Sequence, residues 1–128
     1  MAHIRALILD DSSVMRKIIA RTLRQAGLEL ETVYEASSGI EALELLQERQ
    51  VHLILSDINM PSMDGLQFLN QLRTRNLAAN TPVVMITTES SANHVKEAIL
   101  AGARGFIRKP FTVEQMKEHI IPLVTPDA

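Results

Sequence analysis

Hydrophobic positions in this chain alternate between two patterns. Short, mainly apolar runs occupy residues 6–9, 51–55, 83–86 and 106–107, and between them apolar residues recur every three or four positions. Runs of this length read as strands buried on both faces, and the longer spacing reads as amphipathic helices. Strands are predicted at about 5–9, 32–36, a third ending at Asp57, 83–87 and a short fifth before Lys109. Helices are predicted at about 13–25, from Ser38 onward, after the loop 58–65, at 91–101 and from Thr112 onward. Their inward residues are expected to include Val14, Ile18 and Leu23, then Ile40, Leu43 and Leu46, then Leu66, Leu69 and Leu72, then Val95, Ala98 and Ile99. Ser38 with Glu41 and Thr112 with Gln115 have the spacing of capping boxes. Gly27 and Gly102 suit the left-handed position after a helix, and Pro122 should end or bend the last helix within one or two residues.

Strand and helix alternate five times with no linker, repeat or low-complexity segment. This predicts one doubly wound α/β domain over residues 1–128: a five-stranded parallel sheet with helices on both faces, a core at about 5–121 and a short tail. A length of 128 residues suits a single core, and 46% hydrophobic against 22% charged residues is the balance of an ordered globular chain.

Composition then removes function classes. With no cysteine, disulfides, thiolate metal sites and Cys nucleophiles are excluded. A net charge of −2 argues against a polyanion-binding surface, and one Tyr with no Trp argues against stacking on bases, so no direct nucleic acid partner is expected. The four histidines lack metal-ligand spacing. The N-terminus lacks a signal-peptide pattern and no apolar stretch approaches the roughly 20 residues of a membrane span. The expectation is a cytoplasmic protein without membrane insertion.

The strand endings carry the chemistry. The first run stops at Asp10-Asp11, the third at Asp57, the fourth at Thr87-Thr88 and the fifth at Lys109-Pro110. In a parallel sheet these ends open on one edge, where open α/β folds bind ligands. Adjacent carboxylates repel, and a hard divalent cation with oxygen ligands, Mg²⁺ above all, relieves that repulsion. An Asp can accept a phosphoryl group, and phosphoryl transfer needs mainly positioning and charge neutralisation, which Mg²⁺, the Lys109 ammonium and the Thr87 hydroxyl would supply. Singly, each residue has a plainer reading: Asp11 as a helix cap, Asp10 at a solvated rim, Asp57 starting a turn, Thr87 as a β-former, Lys109 on the surface.

Together, Asp10-Asp11, Asp57, Asn59-Met60-Pro61, Asp64-Gly65, Thr87-Thr88 and Lys109-Pro110 resemble the motifs of the response-regulator receiver domains of two-component signalling, from Arg5 to about Ile121. The resemblance implies a flavodoxin-like strand order 2-1-3-4-5. It implies that Asp57 accepts phosphate from the phosphohistidine of a sensor histidine kinase or phosphotransfer protein. Asp11 and Asp57 would hold Mg²⁺ through their side chains and Asn59 through its carbonyl, with Asp10 acting largely through a bound water (Mn²⁺ could substitute). Thr87 and Lys109 would contact the phosphoryl group, and Lys109-Pro110 would be cis. Thr87 and Phe106 would form the switch, Asn59 and Glu89 would tune hydrolysis, and the helix at 91–101, the fifth strand and the last helix would present the altered face to a downstream protein. Asn59, Glu89 and the run from Asp11 to Lys17 are similar to the single-domain chemotaxis regulators. His119 and Pro122 depart from them on the last helix, where those proteins carry lysines.

No output domain follows the motifs, so the leading reading is a signalling receiver rather than an enzyme acting on a separate substrate. A phosphorelay intermediate or the receiver part of a larger regulator is the alternative. A Mg²⁺-dependent phosphatase with an Asp nucleophile fits less well: in the haloacid-dehalogenase type the two aspartates flank one residue and a cap domain is present. A flavodoxin-like electron carrier would need a phosphate loop and ring-flanking aromatics that this chain lacks.

Overall fold

The computed structural model describes residues 3–88 and 92–124. Five strands, β1 (Ile4–Leu9), β2 (Leu30–Ala36), β3 (Leu53–Ser56), β4 (Val83–Thr87) and β5 (Gly105–Arg108), alternate with five helices. These are α1 (Ser13–Gln25), α2 (Gly39–Glu48), α3 (Gly65–Thr74), α4 (Ala92–Leu100) and α5 (Val113–Val124). All strand pairs are parallel, in the order β2-β1-β3-β4-β5. The chain leaves β1 toward β2 on one side and returns to β3 on the other, so the order reverses beside β1. That reversal opens a crevice at the carboxyl ends of β1 and β3.

Both faces of the sheet are covered, which is why its central strands are continuous in apolar residues. Leu7, Leu9, Ile54 and Met85 point into a core shared with Leu43 of α2, Phe68 and Leu69 of α3 and Ala98 of α4. Their neighbours Ala6, Ile8, Leu55 and Ile86 point the other way, into a core shared with Ile19 and Leu23 of α1 and Met116 and Ile120 of α5. One-residue alternation along each strand therefore feeds two separate cores.

Three residues expected to face inward do not: Val14 is 67% exposed, Ile40 54% and Ile99 57%. Small residues carry the inner stripes in their place. Ala20 joins Ile19 and Leu23 in α1, Ala42 joins Leu43 and Leu46 in α2, and in α4 the buried position is Ala98. Successive helix residues point about 100° apart, so with Ala98 on the inner face its neighbour Ile99 turns toward solvent.

The helix ends follow local chemistry. Ser12 caps α1, its Oγ accepting from Met15 N at 3.2 Å. At α2, Ser38 Oγ accepts from Glu41 N, but the Glu41 carboxylate reaches Ser37 rather than the cap residue, so only half of the expected box forms. Both halves form between Thr112 and Gln115, at 2.9 and 3.1 Å. Asp64 and Gln67 make a third such box at α3 that was not anticipated, although Asp-x-x-Gln carries its signal. Gly27 and Gly102 take positive φ (103° and 110°) after α1 and α4. β2 begins two residues before the expected Thr32, and α5 runs two residues past Pro122. Among the described residues no helix is long and apolar enough to cross a membrane.

Candidate functional site

The sheet's hydrogen bonding runs one residue beyond three strands and so fixes the backbone of the residues that follow. Asp10 N donates to Ala36 O at 3.1 Å, Asp57 N to Leu9 O at 3.0 Å and Lys109 N to Thr87 O at 2.9 Å. Three side chains from three strand ends are thereby aimed at one place. Carboxylate oxygens of Asp10, Asp11 and Asp57 all lie within 4.8 Å of one another.

Each carboxylate is held differently. Asp10 is 1% exposed; its Oδ1 accepts from Ser12 N at 2.9 Å and its Oδ2 from Lys109 Nζ at 2.7 Å. Asp57 is 9% exposed; its Oδ1 accepts from Ile58 N at 2.7 Å and Asn59 N at 3.3 Å, and its Oδ2 from Lys109 Nζ at 3.2 Å. Asp11 is exposed and makes no hydrogen bond or ion pair with the described residues. The plainer readings of this pair therefore fail: Ser12, not Asp11, is the helix cap, and Asp10 is buried rather than at a solvated rim.

Burial alone would lower the Lys109 ammonium. The hydrogen bond that Lys109 donates to Asp10 and the charges of Asp57 and Asp10 outweigh it and hold the group above the ordinary lysine value. Lys109 thus stays cationic throughout the neutral range. Three carboxylates against one ammonium still leave two negative charges uncompensated at this edge. Hard oxygen donors, a net charge of that sign and a spacing within 4.8 Å fit a small divalent cation such as Mg²⁺.

Gly65 closes the floor of the site. A Cβ there would press against the Asp57 carbonyl and lie 2.9 Å from Ile58 Cα, so only glycine lets α3 start this close to β3. Its N–H donates to Ile58 O at 2.7 Å and pins the loop after Asp57.

The remaining expected residues fall around this cluster. Thr87 is fully buried at the end of β4, in register with Arg108 of β5. Asn59 is exposed, beside Asp57. Phe106 is half-buried on β5, in register with Met85, and packs against the core under α2, α3 and α4. The Lys109–Pro110 peptide is cis. Glu89 lies outside the described residues. A cavity of about 500 Å³ between the α2–β3 and α3–β4 connections sits at the opposite, amino edge of the sheet, away from this chemistry.

Two residues at this edge escaped the pattern of strand endings. Arg16 Nε lies 2.7 Å from Glu35 Oε1, and its Nη1 donates to the Asp10 carbonyl. An arginine one turn into the helix that follows an Asp-Asp strand end is the signal that could have found it, since it projects back toward that end.

Residues 6–121 match the response regulator receiver domain family. The chain is 38% identical over 117 residues to a chemotaxis protein CheY homolog of Campylobacter jejuni, covering 91% of this chain and 88% of that one. Among solved structures it is similar to chemotaxis protein CheY4 of Vibrio cholerae, with a TM-score of 0.83 and 35% identity over 95% of this chain and 99% of the other. It is also similar to the signal receiver domain of NarL from Mycobacterium tuberculosis, with a TM-score of 0.85 and 28% identity over 99% of this chain and 100% of the other. Strand order, acidic cluster and sequence agree, and the chain belongs to the response regulator receiver domains of two-component signalling.

Proposed function

We propose that this protein is a phosphoacceptor whose Asp57 takes a phosphoryl group from the phosphohistidine of a sensor histidine kinase or phosphotransfer protein. The observation that carries this reading is the shared hold of Lys109 Nζ on Asp10 and Asp57, at 2.7 and 3.2 Å, inside an acidic cluster with room for a cation. An Asp57 carboxylate oxygen attacks phosphorus, the new O–P bond forms as the N–P bond breaks, and the imidazole leaves. Mg²⁺, held by Asp10, Asp11, Asp57 and the Asn59 carbonyl, would supply charge neutralisation to the phosphoryl oxygens. Lys109 is the second cation, close enough to Asp57 to pass from its carboxylate to the phosphoryl oxygens it acquires. Thr87, at the end of the neighbouring strand, donates its hydroxyl to the same group.

The response is a local charge event biasing a two-state element. Thr87 moving toward the phosphoryl group opens space beside β4, and Phe106 turns inward to fill it, altering the face made by α4, β5 and α5. That face binds a downstream protein target. Asn59 and Glu89 tune hydrolysis, so the chain catalyses only its own phosphorylation and dephosphorylation and acts as one receiver unit with a core at about 5–121. Identity to chemotaxis proteins supports a chemotaxis pathway; a phosphorelay would use the same chemistry with a different recipient.

The test is the intact mass after incubation with acetyl phosphate, with and without Mg²⁺, beside the Asp57→Asn variant. One phosphoryl adduct that requires both Mg²⁺ and Asp57 is expected. Undiminished labelling of Asp57→Asn would refute the assignment of the acceptor.

A further inference from the structure

Of the three clustered carboxylates, only Asp11 makes no hydrogen bond or ion pair of its own among the described residues. Asp10 is tied to Ser12 N and Lys109, and Asp57 to Ile58 N, Asn59 N and Lys109. Asp11 is exposed, precedes the cap residue of α1 and makes no such contact with the described residues. Its direction depends on the peptide that joins it to Asp10. The carbonyl of that peptide is the one Arg16 holds.

We propose that Arg16, set by Glu35, is a positioning residue for the acidic site: it locks the Asp10–Asp11 peptide plane and so aims the Asp11 carboxylate at the cation. Amide planarity makes the argument concrete. Fixing one carbonyl fixes the orientation of the whole six-atom unit, including the N–H and Cα of the next residue. At Asp10 the unit before that plane is also fixed, since Asp10 N donates to Ala36 O. Glu35 immediately precedes Ala36 on β2 and receives Arg16 Nε at 2.7 Å. Both restraints on Asp10 are therefore anchored to the same strand end, one through the backbone and one through the Glu35–Arg16 pair. Arg16 keeps only 14% of its side-chain surface exposed, so its planar fork is held between the Asp10 carbonyl and the Glu35 carboxylate.

The inference rests on reading Asp10, Asp11 and Asp57 as a Mg²⁺ site, and it makes a signed prediction. Were Arg16 only a positive charge near that site, removing it would strengthen Mg²⁺ binding, because one cation would no longer repel another. A positioning role demands the opposite. Lysine separates the two further, since it keeps the charge but cannot span both acceptors.

The experiment is calorimetric Mg²⁺ titration of the wild type, Arg16→Ala, Arg16→Lys and Glu35→Gln, with thermal midpoints measured alongside. Loss of affinity by about tenfold in both Arg16 variants, the range typical of residues that orient metal ligands, with a smaller loss in Glu35→Gln, is expected. Tighter binding by Arg16→Ala with wild-type binding by Arg16→Lys would overturn the proposal in favour of simple charge. Shifted thermal midpoints with unchanged Mg²⁺ affinity would overturn it in favour of a helix-to-strand tie alone. If Arg16→Ala does not fold, Arg16→Lys and Glu35→Gln carry the same comparison. Absence of Mg²⁺ binding in the wild type would remove the metal-site reading itself, and this inference with it.

Discussion

Lys109 Nζ is closer to Asp10, at 2.7 Å, than to Asp57, at 3.2 Å, although Asp57 is the residue expected to react. The ammonium therefore divides its charge between two carboxylates, Asp10 and the Asp57 that the proposed function makes the phosphoacceptor. On the proposed function a divalent cation would contend with Lys109 for these carboxylates, and its binding is expected to loosen the Asp10 contact. The lysine would then be available to a phosphoryl group on Asp57.

Removing the contender tests this directly. Lys109→Met should bind Mg²⁺ several-fold more tightly while accepting phosphate far more slowly from acetyl phosphate. Without Mg²⁺ the variant leaves two buried carboxylates facing each other, and breaking such a pair costs about 3 kcal/mol. Urea unfolding with and without Mg²⁺ measures both effects. Weaker Mg²⁺ binding in the variant would mean that Lys109 supports the cation rather than competing with it.

The lysine also gives stability a pH signature. Its folded-state value lies above the ordinary one because Asp10 and Asp57 outweigh the cost of burial. A group shifted this way stabilises the fold fully below its unfolded value, about 10.4, and loses that contribution as pH rises through the higher folded value. The stability gap between wild type and Lys109→Met should stay level from pH 7 to about pH 10 and shrink only above it. A gap that closed between pH 7 and pH 9 would contradict the arrangement at Asp10 and Asp57.

The strand ends were legible because a buried strand must stop where a polar residue appears. Asp10, Asp57, Thr87 and Lys109 each mark such a stop, and parallel topology then brings them to one edge. Helix faces were less legible. Val14 and Ile40 are large enough to suggest a core, yet Ala20 and Ala42 occupy it, and alanine gives no periodic signal of its own; in α4 the expected Ala98 is buried while Ile99 beside it is not. Of the Arg16–Glu35 pair only the arginine carries a signal, by its place one turn after Asp10-Asp11; its partner depends on how α1 leans against the end of β2. Asp11 and Ser12 are both good caps, and only the φ of −100° and ψ of 117° at Ser12, with its bond to Met15 N, decide between them.

Gly65 and Gly27 should respond to alanine for different reasons. At Gly65 the added Cβ meets the Asp57 carbonyl and the Ile58 backbone, which must move. A cost of about 1–3 kcal/mol is expected, together with slower phosphorylation, because the displaced atoms belong to the proposed acceptor residue and its loop. At Gly27 nothing lies within 4 Å and the strain comes only from φ of +103°. Gly27→Ala should cost about 1–2 kcal/mol and leave phosphorylation unchanged. Chemical denaturation with acetyl phosphate kinetics separates the two, and equal kinetic effects would show that Gly65 acts only through global stability.

Asp10 and Asp11 are neighbours in sequence with opposite energetic roles. Asp11 is exposed and unbonded among the described residues, so Asp11→Asn removes repulsion from Asp10 and Asp57 without breaking a contact with them. Its stability should stay within about 0.5 kcal/mol of wild type or rise. Asp10→Asn removes the closer partner of a buried lysine and should destabilise the fold by about 3 kcal/mol. Both variants should bind Mg²⁺ more weakly, since each loses a charged oxygen ligand. Thermal unfolding with Mg²⁺ titration on the two proteins therefore gives a crossed result: metal binding falls in both, and stability falls in one. Similar destabilisation in both would mean that Asp11 has a structural contact that its exposed position does not provide, and that the division of labour between the two carboxylates is wrong.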